Sequence, residues 1–444
     1  MTRTPQLSRR QLGLSAGLLS LAACTARVSN TKAIEPLRPG EKHAPITLDM
    51  WSFHTGPEAK QVERILDRLH RAYPWLTVRL VQGKQDFDVL QGVYSGHPPD
   101  IAVLSGPANV AKFASIGAMP DLNQLARKDG IDLAAIIPPS VMTTATYQGK
   151  TCVLPWLTDA YGLYYNKALF RKAGITRPPR SLAELETTAK KLTTFNSDGS
   201  IKLAGFVPLS TFYHSEHMDQ GPCFGGAWYR DGKSAVATDP RWARGLTWQK
   251  KYIDSVGHDK LSRFAADIGL NSEYTPKHGF EIGKIAMTLD GEWRVGYLER
   301  ESKVDFGTAP FPTLDPTDYG SGQIGGTMIS LPSTARDPAA SWVAVKYLAL
   351  NTSALNQIAD DLQNVPTTFS SLKTAAYCQK PANRAFVNIL KDPRSLWKQP
   401  VPAGQVDLDL MGQFVQNYEA GGVPDLQAGL RKLAKDIDAQ VAVG

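Results

Sequence analysis

The stretch ITLDMWSFHTGPEAKQVERILDRLHRAYPWLTVRLVQG, residues 46–83, decides how this chain is read. Its opening, ITLDMWSF, has the character of a strand. Over 58–73, Val62, Ile65, Leu66, Leu69 and Tyr73 fall on one helical face, and TVRLVQG at 77–83 returns to a strand. A helix near 86–95 and a third strand, DIAVLSG at 100–106 behind two prolines, extend the pattern to β-α-β-α-β. Such alternation argues for an α/β fold with a largely parallel sheet, whose ligands gather beyond the carboxyl ends of its strands.

The alternation continues. In VLPWLTDAYGLYYNK (153–167) a strand is expected over 161–165, followed by a helix capped by Asn166 and stopped by Gly174. Pro178 and Pro179 break the chain. The next helix opens on SLAE, a capping box of Ser181 and Glu184, and turns Leu182, Leu185, Ala189 and Leu192 inward. A strand over 203–209, the turn YRDGKSA (229–235) and a helix over 240–256 follow. There is no internal repeat.

With 444 residues, of which 42% are hydrophobic, the chain exceeds one core and is expected to form two lobes. Its mean hydropathy of -0.24 suits a soluble body, and no apolar run reaches the ~20 residues that cross a bilayer. The N-terminus differs: Arg3, Arg9 and Arg10 precede LGLSAGLLSLAA, the layout of an export signal over residues 1–23, and SRRQLGL resembles a twin-arginine signal. LAAC then resembles a lipobox, which makes Cys24 the expected lipidation site and membrane tether. Residues 24–43 read as anchor and linker. Removing 1–23 takes three of 49 basic residues and none of the 42 acidic ones, so the body is only mildly basic and lacks the basic clusters of a nucleic-acid binder. Besides Cys24 there are Cys152, Cys223 and Cys378, enough for at most one disulfide among those three.

Four segments carry a resemblance. The first is YQGKTCVLPWLTDAYGLYYNKALFRKAGITRPPRSLAEL (147–185), and the second is GGAWYRDGKSAVATDPRWARGLTW (225–248). FEIGKIAMTLDGEW (280–293) comes third, and VDFGTAPFPTLDP with GGTMISLPSTARDPAASWVAVKYL (within 304–348) is the last. Their order and spacing resemble the family 1 extracellular solute-binding proteins of ATP-driven sugar importers, a class that includes maltodextrin- and glycerophosphate-binding proteins. The resemblance implies a two-lobed periplasmic-binding-protein-like fold, with a hinge and a ligand cleft between lobes. Lobe 1 would hold 44–152 and about 290–350, and lobe 2 would hold 153–289 and about 351–444.

The resemblance also implies a site. A sugar presents directed hydroxyls and weakly apolar C–H faces, so it is held by aromatic platforms together with carboxylates, amides and backbone groups. Asp159 matches an acid that accepts from sugar hydroxyls in relatives, and Trp156 is the platform candidate nearby. Trp293 matches a stacking tryptophan, with Asp290 before it either touching ligand or supporting the turn. Phe212, Tyr213 and His214 in VPLSTFYHSEH (207–217) stand where relatives present an aromatic. Strand ends add His54, Thr55, Ser105 and Gly106, and Gly325, Gly326 and Thr327 would offer backbone amides. Trp228 and Trp397 are further platforms, while Tyr164 and Tyr165 equally suit a strand's core. Leu104 replaces a tryptophan of the maltodextrin-binding pattern, which argues against an extended maltodextrin. Carboxylates and histidine would suit an amino sugar.

Enzyme-like strings dissolve in context. GLSAG (13–17) lies in the signal, and GSGQIG (320–325) follows a proline-rich loop where a dinucleotide site needs a strand. His214 and His217 have metal-like spacing without further ligands. The expectation is therefore a monomeric binding protein without cofactor or metal, whose partners are a carbohydrate, an ABC permease and, through Cys24, the membrane. Two alternatives are a glycerophosphodiester or polyol-phosphate binder on the same scaffold, and a glycoside hydrolase using Asp159 and Glu292.

Overall fold

Five strands form the first sheet of the computed structural model, which describes residues 34–38, 41, 43–215, 223–269, 278–395, 401 and 404–443. Their order is Leu76–Val81, Ile46–Trp51, Ile101–Leu104, Met328–Ser330 and Leu154–Pro155. The first three run parallel, as the alternation predicts, and the last two join antiparallel. Helix Gly56–Ala72 makes the crossover between the first two parallel strands. A proline in its first turn suits the amides that lack partners there, and it buries Ala59, Val62, Ile65, Leu66 and Leu69.

A second sheet sets Tyr161–Asn166 between Met287–Gly291 and Phe306–Pro310, all antiparallel. Its two faces serve different cores. Leu163, Met287, Leu289 and Ala309 enter one that also holds Phe206, Trp242 and Met411, whereas Tyr164 enters the core of the first sheet. Side chains alternate along a strand, so one six-residue element divides the two hydrophobic bodies.

Local chemistry departs from expectation in places. Ser181 Oγ accepts the Glu184 N–H at 3.2 Å, but the Glu184 carboxylate turns to the Arg180 N–H (2.9 Å) and the Arg177 guanidinium, so only half of the capping box forms. The strand expected over 203–209 is confined to Ile201–Leu203. Beyond it Pro208 lacks an N–H, and Gln249 and Glu419 engage the backbone of 208–210 instead of a neighbouring strand.

The C-terminal third divides. Helix Thr352–Leu362 lies on helix Gly56–Ala72, Val365–Pro366 pairs with Leu157–Thr158, and Phe386 and Leu390 enter the first core. Helices Val406–Glu419 and Leu426–Val443 cover the second core through Met411, Val415, Leu430, Leu433 and Ile437. The expected placement of about 351–444 with lobe 2 is thus corrected for 352–391, whose apolar faces seal the first body. Cys152, Cys223 and Cys378 are buried. No helix among the described residues is long and apolar enough to cross a membrane.

Candidate functional site

Three passes of the chain meet beside the second sheet. Residues 155–161 are tied to 323–327: Thr327 O accepts from Trp156 N–H at 2.8 Å, Asp159 O from Gly325 N–H at 2.9 Å, and Gln323 O from Tyr161 N–H at 3.2 Å. The third pass adds Thr367, whose hydroxyl donates to Pro155 O at 3.0 Å. Gly326 must be glycine, since φ is +114° and an added Cβ would lie 2.2 Å from Leu157 O. Of the expected amide ligands, Gly325 is corrected, since its N–H is engaged by Asp159 O; Gly326 lies on the backbone of 157–158, and Thr327 is buried.

Asp159 lies half-buried at this meeting point. The Asn364 side-chain nitrogen lies 3.3 Å from Asp159 Oδ1 and donates to Glu292 Oε1 at 3.0 Å, bridging two carboxyls. Glu292 is fully buried, and its Oε2 accepts the Ala160 N–H at 2.8 Å. Burial first, and the charge of Asp159 second, push the Glu292 carboxyl well above the usual range.

Next to Glu292 stands Trp293. Its ring meets Tyr161 edge-on at 5.6 Å and His214 at 5.5 Å, while Tyr161 and His214 are 5.5 Å apart. Tyr213 lies 3.7 Å from His214. All four rings are half-buried, and the Trp293 indole N–H has no acceptor among the described residues. Gly291 makes the seat, because a Cβ there would come within 2.1 Å of the indole. Burial, with lesser contributions from Arg294 and His278, holds His214 down at about 3, so its imidazole is neutral. Its φ of 56° is unusual for a non-glycine residue.

An ion-pair chain lies below the rings. Asp290 accepts from Arg294 Nε at 2.7 Å, Arg294 Nη1 is 3.3 Å from Glu281, and Glu281 is 2.8 Å from His278 Nδ1. Asp290 is wholly buried and also accepts the Gly291 N–H, which makes it the support of the turn.

The structure brings together Asp159, Tyr213, His214 and Trp293, above Asp290. It corrects three platforms. Trp156 is fully buried in the first core with its indole N–H donating to Leu348 O at 3.1 Å. Phe212 is enclosed with Phe264 and Ile268, and Trp228 lies edge-on to Trp242 at 5.1 Å in the second core. His54, Thr55, Ser105 and Gly106 stand at the carboxyl ends of the first and third strands. His54 is buried against Phe53, and burial lowers its pKa to about 4. Trp397, His217 and Cys24 lie outside the described residues. Tyr161 and Asn364 were missed. Tyr161 stands two residues after Asp159, at the start of the strand Tyr161–Asn166, whereas nothing local marks Asn364, 205 residues from Asp159.

The sequence profile of the family described as bacterial extracellular solute-binding protein matches residues 58–354. A maltotriose-binding protein of Pyrococcus abyssi is 22% identical over 347 residues, covering 77% of this chain and 71% of that protein. A maltooligosaccharide ABC transporter solute-binding lipoprotein of Streptococcus pneumoniae is 24% identical over 316 residues, 69% of this chain and 68% of the relative. Among solved structures, CpMnBP1 with mannotriose bound superposes with a TM-score of 0.74 at 20% identity, over 89% of this chain and 100% of that one. That likeness establishes the two-lobed fold.

Proposed function

For a chain that belongs to the bacterial extracellular solute-binding protein family, we propose the capture of a carbohydrate outside the cytoplasm, closure of two lobes over it and delivery to the permease of an ABC importer. The observation that carries this reading is the ring cluster. Trp293, Tyr161 and His214 stand within 5.6 Å of one another and adjoin a carboxyl pair bridged by Asn364. Rings take the C–H faces of a sugar, and Asp159 takes its hydroxyls. Relatives named for maltotriose, maltooligosaccharides and mannotriose support a neutral oligosaccharide as ligand.

The cluster disfavours the phosphodiester alternative. Arg294, lying over the Tyr213 ring, is committed to Asp290 and Glu281, so a phosphate reaching these rings would face Asp159. Hydrolysis is disfavoured too. Both oxygens of Glu292 accept protein N–H groups in a fully buried position, where the carboxyl cannot flank a glycosidic bond. The protein binds its sugar unchanged. It is tethered through a lipid on Cys24 and works as a monomer.

A thermal-shift panel of maltotriose, mannotriose, chitobiose and a glycerophosphodiester tests this reading. At a hundredfold excess over Kd a true ligand stabilises by about 2.7 kcal/mol. Stabilisation by the phosphodiester alone, or release of a smaller saccharide during incubation, would overturn it.

A further inference from the structure

Two buried carboxyls outside the ring cluster share one arrangement, one in each lobe. Asp86 opens helix Asp86–Ser95, and its Oδ1 accepts the Ser105 N–H at 2.9 Å and the Ser105 hydroxyl at 3.3 Å. Its Oδ2 accepts from Asn109 Nδ2 at 3.0 Å. Glu419 closes helix Val406–Glu419, and its Oε1 accepts the Ser210 N–H at 2.9 Å and Gln249 Nε2 at 2.8 Å. Its Oε2 accepts the Ser210 hydroxyl at 3.0 Å. Each carboxyl thus takes a serine N–H, the same serine's O–H and a carboxamide. Among the described residues, those facing Asp86 are Ser105 and Asn109 and those facing Glu419 are Ser210 and Gln249, and none of them is charged.

Both serines open loops that the proposed function turns toward the ligand. Ser105 follows the third strand of the first sheet, and Ser210 stands three residues before Tyr213. The first loop also meets the second lobe: an added methyl on Gly404, just ahead of helix Val406–Glu419, would come within 2.8 Å of Asn109 Oδ1. Asn109 therefore sits at the boundary between lobes, tied to Asp86. From Ser210 the chain makes successive turns, with Phe212 N–H donating to Leu209 O and Ser215 N–H to Phe212 O, both at 2.9 Å. Those turns deliver His214 in its left-handed conformation against Trp293.

A carboxylate accepts several donors at once and so can hold a serine N–H, its O–H and a carboxamide together. Burying it without a cation is costly, and burial raises the pKa of both groups, Glu419 to about 7. An arrangement this expensive, present once per lobe beneath the segments that would meet a ligand, is poorly explained as packing. We propose that Asp86 and Glu419 are positioning residues for ligand capture, fixing through Ser105 and Ser210 the two loops that the lobes present to the sugar. The inference rests on the reading of the ring cluster as a carbohydrate site.

Hydrogen–deuterium exchange and calorimetric titration with maltotriose and mannotriose test it on the full mature chain. Glu419→Ala is expected to weaken binding of the accepted sugar about tenfold, and to speed exchange over 207–215 while leaving 105–109 protected. Asp86→Ala should do the converse. Glu419→Gln and Asp86→Asn, which keep an acceptor and a rotatable amide, should bind within about threefold of wild type. Wild-type affinity in both alanine variants, or conservative variants as weak as alanine, would overturn the proposal. So would exchange rising throughout a lobe rather than in its loop. Should an alanine variant fail to fold, Ser210→Ala and Ser105→Ala decide: about threefold weaker binding with faster exchange confined to the loop supports the proposal, and unchanged behaviour overturns it. If wild type binds neither sugar, the functional reading fails, and the exchange arm still judges the two latches.

Discussion

Trp293 owes its orientation to what its neighbours lack and what they supply. Gly291 leaves the space an indole needs, Tyr161 and His214 meet it edge-on, and the buried Asp290–Arg294 pair holds the turn beneath. Removing the ring deletes a contact surface without emptying a core, so Trp293→Ala should weaken sugar binding by about 1–3 kcal/mol and leave the far-ultraviolet spectrum unchanged. Calorimetry reads the loss. At Asp159 the relevant neighbour is Asn364, whose one amide serves two carboxyls. Asn364→Asp would place a third acid between them, so binding should fall by at least about 1 kcal/mol and recover partly as the pH is lowered. Equal affinity at every pH would remove Asn364 from the site. That Asp159 and Trp293 stand in the candidate cluster is legible from motifs with fixed spacing. Trp156, Phe212 and Trp228 were misjudged for a physical reason: proximity to a motif does not say which way a ring points, and a shift of one residue turns it to the other face.

Among elements, the strand Tyr161–Asn166 is the most informative, since it feeds both cores and continues from the segment bearing Asp159. The tie between that segment and 323–327 depends on Gly326. Gly326→Ala sets a Cβ against Leu157 O in a backbone conformation unsuited to alanine, and should destabilise the protein by more than about 1 kcal/mol. Urea unfolding would show it, and a midpoint equal to wild type would mean that this crossing yields easily. The parallel strands and long helices could be read from their periods. The 203–209 segment could not, because Pro208 offers no N–H and its carbonyl is claimed by Gln249, 41 residues away in the chain. For the same reason 352–391 was assigned to the wrong body: an apolar helical face records that it is buried, but not against what.

For the whole molecule, location and stability depend on groups far from the rings. Cys24→Ala is expected to move the protein from the membrane fraction to the soluble one while sugar affinity stays unchanged, and continued membrane association would exclude the lipid tether. Stability should carry opposing dependences on pH. Burial lowers His54 to about 4 and His214 to about 3, and both folded values lie below the unfolded value near 6.5. Their contribution is present above about pH 6.5 and is lost as the pH falls through the folded values. Glu419 acts in the other direction. Its folded value of about 7 lies above the unfolded 4.5, so its contribution is fully present below about 4.5 and disappears as the pH rises through 7. Glu419→Gln removes only this second dependence. The melting temperature of the variant should therefore fall more steeply than wild type between pH 6.5 and 5. The gap between the two should widen by up to about 3 kcal/mol from pH 8 to pH 5. Parallel curves would mean that Glu419 reaches solvent, and with it the latch under the second lobe's loop would lose its physical basis.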